Sequence, residues 1–275
     1  MPLAAARSCG SLGSFQRYQV TTLNKSNRRF LLRIWILAIA LCLIVGSMFA
    51  VELTSDDAAR SRPVALIILV TAVFLMSTRW LQKRRLAKAL QSPDPNTYLR
   101  SVSGSLRRIP HGSQMAAASS ATILALYGRH EEAEASLQSV DWHGLPPLIQ
   151  AQGNLARAAI AYTHGDLEKG LAHADAAAQL AFVDTPFPGS QTSELAIRTY
   201  RNLGLALFDR TTDSTEHELR TARTRLPLLG KLSAAWGLSV IAKRNGNSPE
   251  YQAMRMFIES TAPHFTPVLQ SISDA

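Results

Sequence analysis

The stretch AYTHGDLEKGLAHADAA, residues 161–177, joins two alanine-rich segments through a polar turn at Gly165. A glycine after such a run is typical of a helix C-terminus, where the left-handed backbone conformation favours it. Asp166 follows directly, and its carboxylate can accept hydrogen bonds from the free N–H groups of the next helix. The stretch therefore predicts a helix, a tight turn and a second helix.

The same stretch contains histidines and carboxylates, which raises the alternative of a metal or catalytic site. Glu168 and Asp175 share a face of the second helix, but at ~100° per residue His173 points to roughly the opposite side, and His164 precedes the turn. Lys169 and His173 are four residues apart and are assigned to a solvated face. The chain contains no HExxH, CxxC, GxSxG or glycine-rich phosphate motif. We predict a structural role for the stretch, no metal or cofactor, and no enzymatic activity.

A matching unit precedes this one, because Gly128 lies 37 residues before Gly165. Small residues occupy corresponding positions around the two glycines: Ala121, Ala133, Ala158 and Gly170. The pattern resembles the tetratricopeptide repeat, a helical hairpin of ~34 residues with small residues where its helices meet. The resemblance covers residues 114–182 and implies an α-solenoid with a concave groove lined by the first helix of each hairpin. Two further hairpins are predicted after residue 192, either as degenerate repeats or as a capping bundle.

Candidate partner-binding residues follow from this resemblance. Asn154, Arg157 and Ala161 are expected to face the groove, and Arg198 and Arg201 join them if the third hairpin stacks. Their cations suit an acidic segment or a terminal carboxylate of a protein or peptide partner. A solvated helix face would have the same composition, so both interpretations stay open.

Two long apolar runs lie near the N-terminus. The first begins at Phe30 and has no charged residue from Ile34 to Val51; the second extends from Pro63 to Leu81. Each approaches the length needed to cross a hydrocarbon core of ~30 Å at ~1.5 Å per helical residue. We therefore predict two transmembrane helices within residues 30–81, with a short loop at 52–62. Two buried core helices are the alternative, although neither run has a polar face.

Flanking cations predict the orientation of these spans. The leader, residues 1–29, contains basic but no acidic residues. Residues 82–112, predicted to be a basic juxtamembrane segment and linker, begin with QKRRLAK. By the positive-inside rule both termini face the cytoplasm, as in an integral protein of the bacterial inner membrane. The segment 82–88 can also contact anionic lipid head groups. A mitochondrial transit peptide is the alternative interpretation of the leader.

Composition and charge complete the prediction of an all-α protein. Aromatic residues make up only 7% of the chain while 47% is hydrophobic, which favours helices over strands. The net charge of +9 would suit a nucleic-acid partner. From Pro110 onward, however, 13 lysines and arginines face 16 aspartates and glutamates, so no nucleic-acid partner is predicted. We expect a tetratricopeptide-like domain at 113–265 and a tail at 266–275.

The leading hypothesis is a membrane-anchored interaction scaffold that binds a protein or peptide partner in the cytoplasm. The alternative is an assembly subunit that acts through its membrane hairpin, where Gly46 and Ala50 have the spacing of close helix contacts; this leaves a homo-oligomer open. An enzyme or transporter ranks last, because neither apolar run carries a carboxylate, histidine or cation at mid-depth, and two spans cannot enclose a pathway without oligomerising.

Overall fold

The computed structural model of the chain describes residues 62–106, 110–181 and 190–274, and in these ranges it is all-α, with eleven helices and no strand. These ranges do not include the leader, the first predicted span, or Gly46 and Ala50. The helices are α1 (Arg62–Leu90), α2 (Pro95–Leu106), α3 (Gly112–Leu126), α4 (His130–Gln138), α5 (Pro147–His164), α6 (Leu167–Ala181), α7 (Ser190–Leu207), α8 (Asp213–Arg225), α9 (Leu228–Arg244), α10 (Ser248–Thr261) and α11 (Thr266–Asp274).

The chain divides after Trp80 into two units, and the second, Leu81–Ala275, contains the helical domain described below. The division falls within α1, which includes the second predicted span. Phe74 and Met76 of this helix are 65% and 74% exposed. None of the helices in the described ranges is both long and apolar enough to cross a membrane. The two-span anchor stays a prediction from the sequence.

Tight turns divide the helical domain into hairpins. Gly128, between α3 and α4, has φ +77°, and Gly165, between α5 and α6, has φ +89°, as predicted for helix ends that need the left-handed region. Between α7 and α8 this conformation is adopted instead by Asp209, at φ +60°. In the last hairpin, α9 and α10, the N-cap of α10 is Asn247, because its side chain accepts a hydrogen bond from the Glu250 N–H.

The first helices of successive hairpins pack side by side, with α5 between α3 and α7, and α9 against α7. The second helix of the second hairpin, α6, packs against both α5 and α7. The small residues that the sequence singled out are all buried at these contacts: Ala121, Ala133, Ala158 and Gly170. The prediction that they allow close helix approach is confirmed.

The segment expected to form a tail contains the helix α11. Val268 and Ile272 of this helix are 2% and 0% exposed, and the Trp236 indole N–H donates to the Ser271 hydroxyl at 2.7 Å. Helix α11 contacts α9 and α10, but also α3 and α5. The C-terminal helix therefore packs against both the first two hairpins and the last one.

The predicted linker also joins the core. The helical conformation is interrupted between α1 and α2, as the prolines of this segment predict. Leu90, at the end of α1, is fully buried. The Tyr127 hydroxyl is placed to donate to the carbonyl oxygen of Leu90 or Ser92, at 3.1 and 2.9 Å. The Tyr127 ring meets Phe265 edge to face, with centroids 5.3 Å apart. These contacts tie the start of the domain to the segment that leads into α11.

Candidate functional site: a cleft between the first two hairpins

A cleft of about 550 Å³ lies between the first two hairpins and is formed by α4, the loop after it, α5 and the start of α6. We call it the hairpin cleft. Its apolar lining residues are Leu137, Val140, Trp142, Ile160 and Ala161. Its polar lining residues are Glu134, Gln138, Arg157, His164, Asp166, Lys169 and His173. Its volume falls within the range of small-molecule sites, roughly 300–1,000 Å³.

Trp142 forms one wall of the cleft. Its indole N–H donates to the Leu137 carbonyl oxygen at 2.9 Å, which fixes the ring after the end of α4. The ring packs on Gly153 of α5, where a Cβ atom would lie only 2.6 Å from the ring. No sequence pattern indicated that Trp142 lines a cleft. A glycine inside a helix costs about 1 kcal/mol relative to alanine, so Gly153 indicates that another group packs closely against α5 there. This signal could have pointed to a contact of the kind that Trp142 makes.

Arg157 lies over this ring from the next turn of α5. Its guanidinium carbon is 5.5 Å from the Trp142 ring centroid, and its Nη1 donates to the Asn154 side-chain oxygen at 3.1 Å. Burial lowers the pKa of Arg157 below its ordinary value. Among the residues that the structure describes, no carboxylate lies within ion-pair distance of this guanidinium.

The N-terminal half of α6 supplies the opposite wall. Gly165 ends α5, and the Asp166 carboxylate then accepts a hydrogen bond from the Lys169 N–H at 3.2 Å, so the predicted cap is confirmed. Lys169 and His173, which the sequence assigned to a solvated face, line the cleft. Burial lowers the pKa of His173, and nearby Arg157 and Lys169 lower it further.

A pair of histidines links the two turns beside the cleft. The rings of His130, at the start of α4, and His164, at the end of α5, meet edge to face with centroids 5.3 Å apart. The Nδ1 atom of His130 is buried without a hydrogen-bond partner in the described part of the chain. Burial lowers the pKa of His130, with His164 acting in the same direction and Glu134 opposing. The arrangement favours a neutral His130.

The structure brings together only some of the predicted partner-binding residues. Arg157 and Ala161 line the hairpin cleft, and Asn154 holds Arg157 from outside it. Arg198 binds Glu194 on its own helix, and Arg201 binds Asp175 of α6 at 2.6 Å. These two arginines connect neighbouring side chains of the domain and do not line the cleft.

The alternative metal site does not assemble. Asp175 is bound to Arg201, whereas His173 faces the cleft. Within the described ranges, no group of three or more His, Cys, Asp or Glu side chains is arranged to hold a metal ion.

A second and smaller depression lies on the face that the first helices share. It has a volume of about 240 Å³ and includes residues of α3, α5, α7 and the start of α9. Its polar lining is uncharged: Ser119, Thr122, Gln152, Thr192 and Ser193. Leu155, Ala196, Leu226 and Leu229 are among its apolar residues. We call it the first-helix groove, and none of the five predicted partner-binding residues lines it.

Comparison with known proteins adds no family to these observations. No family model, no curated protein and no solved structure matches the chain.

Proposed function

We propose that the protein is a membrane-anchored docking scaffold whose tetratricopeptide-like helical domain binds a protein or peptide partner in the cytoplasm. The first-helix groove is the observation that carries this proposal. It includes residues from the first helices of four successive hairpins and combines apolar side chains with uncharged hydrogen-bonding groups. An extended peptide requires this combination, because its backbone needs polar partners while its side chains need apolar pockets.

The position of the groove supports the same function. In a tetratricopeptide-like array the first helices line the concave surface, and the side-by-side packing of α3, α5, α7 and α9 creates such a shared face. The groove lies on this face. Its docking residues are then Thr122, Gln152, Thr192 and Ser193, in place of the arginines that the sequence indicated.

The membrane anchor is supported by the sequence and by α1. The two apolar runs are flanked by cations on the side that the positive-inside rule places in the cytoplasm. Helix α1 also exposes consecutive large apolar side chains, Val73, Phe74, Leu75 and Met76. Such a patch is typical of a surface that meets an apolar environment.

A pair of matched threonine variants tests the docking proposal. Thr192 is an exposed residue in the groove on α7, and Thr224 is an exposed residue on α8 away from it. Tagged full-length protein is extracted in a mild detergent, and the captured proteins are identified by mass spectrometry for wild type, Thr192→Arg and Thr224→Arg. We expect a bulky cation at Thr192 to displace a specific partner that the Thr224→Arg variant retains.

Retention of every captured protein by Thr192→Arg would contradict docking in the groove. A version truncated after Leu90 tests the alternative function. If the same partners remain bound to this version, association resides in the membrane hairpin, and the assembly-subunit hypothesis replaces the scaffold.

A further inference from the structure

The hairpin cleft contains a cation whose charge no carboxylate of the described chain neutralises. Several other arginines of the helical domain pair with acids, such as Arg129 with Glu132, Arg201 with Asp175, and Arg255 with Glu259. Arg157 instead contacts the Trp142 ring and the neutral Asn154 amide. Removing a guanidinium from water without an ionic partner is unfavourable, so an anion that enters the cleft is stabilised there.

A second cation reaches the cleft from another helix. Lys169 of α6 lines the cleft opposite Arg157 of α5. Both lower the pKa of His173, and the nearby Asp166 carboxylate, which raises it, is the weakest of the four influences. At this end of the cleft the two cations Arg157 and Lys169 face one carboxylate, Asp166, which is already engaged as the cap of α6.

The remaining acid of the lining is Glu134, on α4. It is exposed, and it raises the pKa of His130 at the start of the same helix. It has no ion-pair partner among the described residues, and it belongs to α4, whereas Arg157 and Lys169 belong to α5 and α6.

Beside the cations the cleft offers an aliphatic surface. Ile160 and Ala161 of α5 and Leu137 of α4 are each at most 7% exposed yet line the cleft. A ligand with both a charged and an apolar part can then satisfy both kinds of lining. A bare ion would leave the apolar surface uncovered.

We propose that the hairpin cleft binds a small organic anion, with its carboxylate or phosphate group at Arg157 and Lys169 and its aliphatic part on Leu137, Ile160 and Ala161. This site is separate from the first-helix groove and does not depend on the docking function. The planar guanidinium can form two parallel hydrogen bonds to either oxyanion, which makes it the principal contact. Asn154 and Trp142 orient it for this contact.

Four probes with the same six-carbon chain test the proposal: hexanoate, hexyl phosphate, hexanol and hexylamine. Each is titrated by calorimetry into full-length protein in a mild detergent, with protein-free detergent as the blank. We expect one or both anions to bind and the alcohol and amine to bind at least tenfold more weakly, given the strength of charge-assisted hydrogen bonds. Binding of hexanoate alone assigns a carboxylate ligand, and binding of hexyl phosphate alone assigns a phosphate ligand.

Two arginine variants make the test specific to the cleft. Arg157→Gln removes the proposed contact and should weaken anion binding by roughly tenfold or more. Arg223→Gln is the matched control, because the Arg223 guanidinium lies 5.7 Å from the Phe257 ring centroid, outside the cleft. It should bind like the wild type, and Arg157→Lys should recover part of the affinity. If Arg157→Gln fails to fold, Lys169→Gln, at an exposed position, provides a second test of the same contact and should also weaken anion binding.

Three results would overturn the proposal. The first is the absence of binding by either anion up to ~10 mM, where even a weak site of a few kcal/mol is occupied. The second is equal binding of hexanol, which would show that the cleft recognises the aliphatic chain and not the anionic group. The third is the same loss of affinity in Arg157→Gln and Arg223→Gln, which would indicate a general charge effect.

Discussion

The hydroxyl of Tyr162, on α5, donates a hydrogen bond to the backbone carbonyl oxygen of Tyr200, on α7, at 3.2 Å. The Tyr162 ring lies over Gly170 of α6, so closely that a Cβ atom there would overlap it. Tyr162 is 2% exposed, and burial raises the pKa of its hydroxyl, which keeps the group protonated as a donor. One side chain thus joins the second hairpin to the third.

Enlarging Gly170 should separate these helices. We expect Gly170→Val to lower the free energy of unfolding by about 1–3 kcal/mol, because the added carbons meet the Tyr162 ring in a packed core. The measurement is urea denaturation of the full-length protein in a mild detergent. Ala172→Val, at an exposed position on the same helix, is the control and should change stability by only about 0.5 kcal/mol. Equal effects of the two variants would mean that the contact with Tyr162 is not tight.

Helix α11 should contribute to the stability of the whole domain. Ile272 is fully buried, so Ile272→Ala should cost about 2–5 kcal/mol by leaving a cavity. The exposed Gln270 provides the control Gln270→Ala, which should be near neutral. Both are compared by urea denaturation. A negligible effect of Ile272→Ala would show that the C-terminal residues are a tail, as the sequence alone suggested.

The wall formed by Trp142 should be structural as well as ligand-binding. Trp142→Ala removes the indole hydrogen bond to Leu137 and the packing on Gly153, and should lower the free energy of unfolding by about 1–3 kcal/mol. His143→Ala changes the next residue, whose side chain is fully exposed, and should have little effect. Thermal denaturation of the two variants measures the difference. If their midpoints coincide, Trp142 does not hold the loop against α5.

Stability should fall on mild acidification. The pKa values of His130 and His173 are lowered in the fold from an ordinary value of 6.5, so the unfolded chain takes up these protons first. The stability that the neutral histidines provide is present above about pH 6.5 and is lost as the pH falls through that value towards the folded pKa values. Urea midpoints at about pH 8 and about pH 5.5 measure the loss.

Histidine variants identify the source of this pH dependence. His130→Gln and His173→Gln should each reduce the difference between the two midpoints, because they remove a group that is protonated mainly in the unfolded chain. His143→Gln, at a fully exposed position, is the matched control. If all three variants keep the wild-type pH dependence, other groups of the protein cause it.

Local patterns were enough to predict the helical hairpins. Glycine after an alanine-rich run requires a left-handed turn, and a carboxylate directly after it caps the next helix, so Gly165 and Asp166 specify their conformations through their own backbone neighbours. Small residues at a fixed interval predicted close helix packing, and the burial of Ala121 and Ala158 confirms it. The groove residues were less predictable, because periodicity gives the face of a helix but not which neighbour covers it.

By itself the sequence determined the helical class, the turns at Gly128 and Gly165 and the Asp166 cap, since these depend on residues within a few positions of one another. Only the tertiary structure decided that Arg157 has no acidic partner in the described part of the chain, that Trp142 closes a cleft over Gly153, and that α11 packs against α3 and α5. These contacts join residues of separate elements. Their geometry depends on how the helices pack, which no local pattern along the chain specifies.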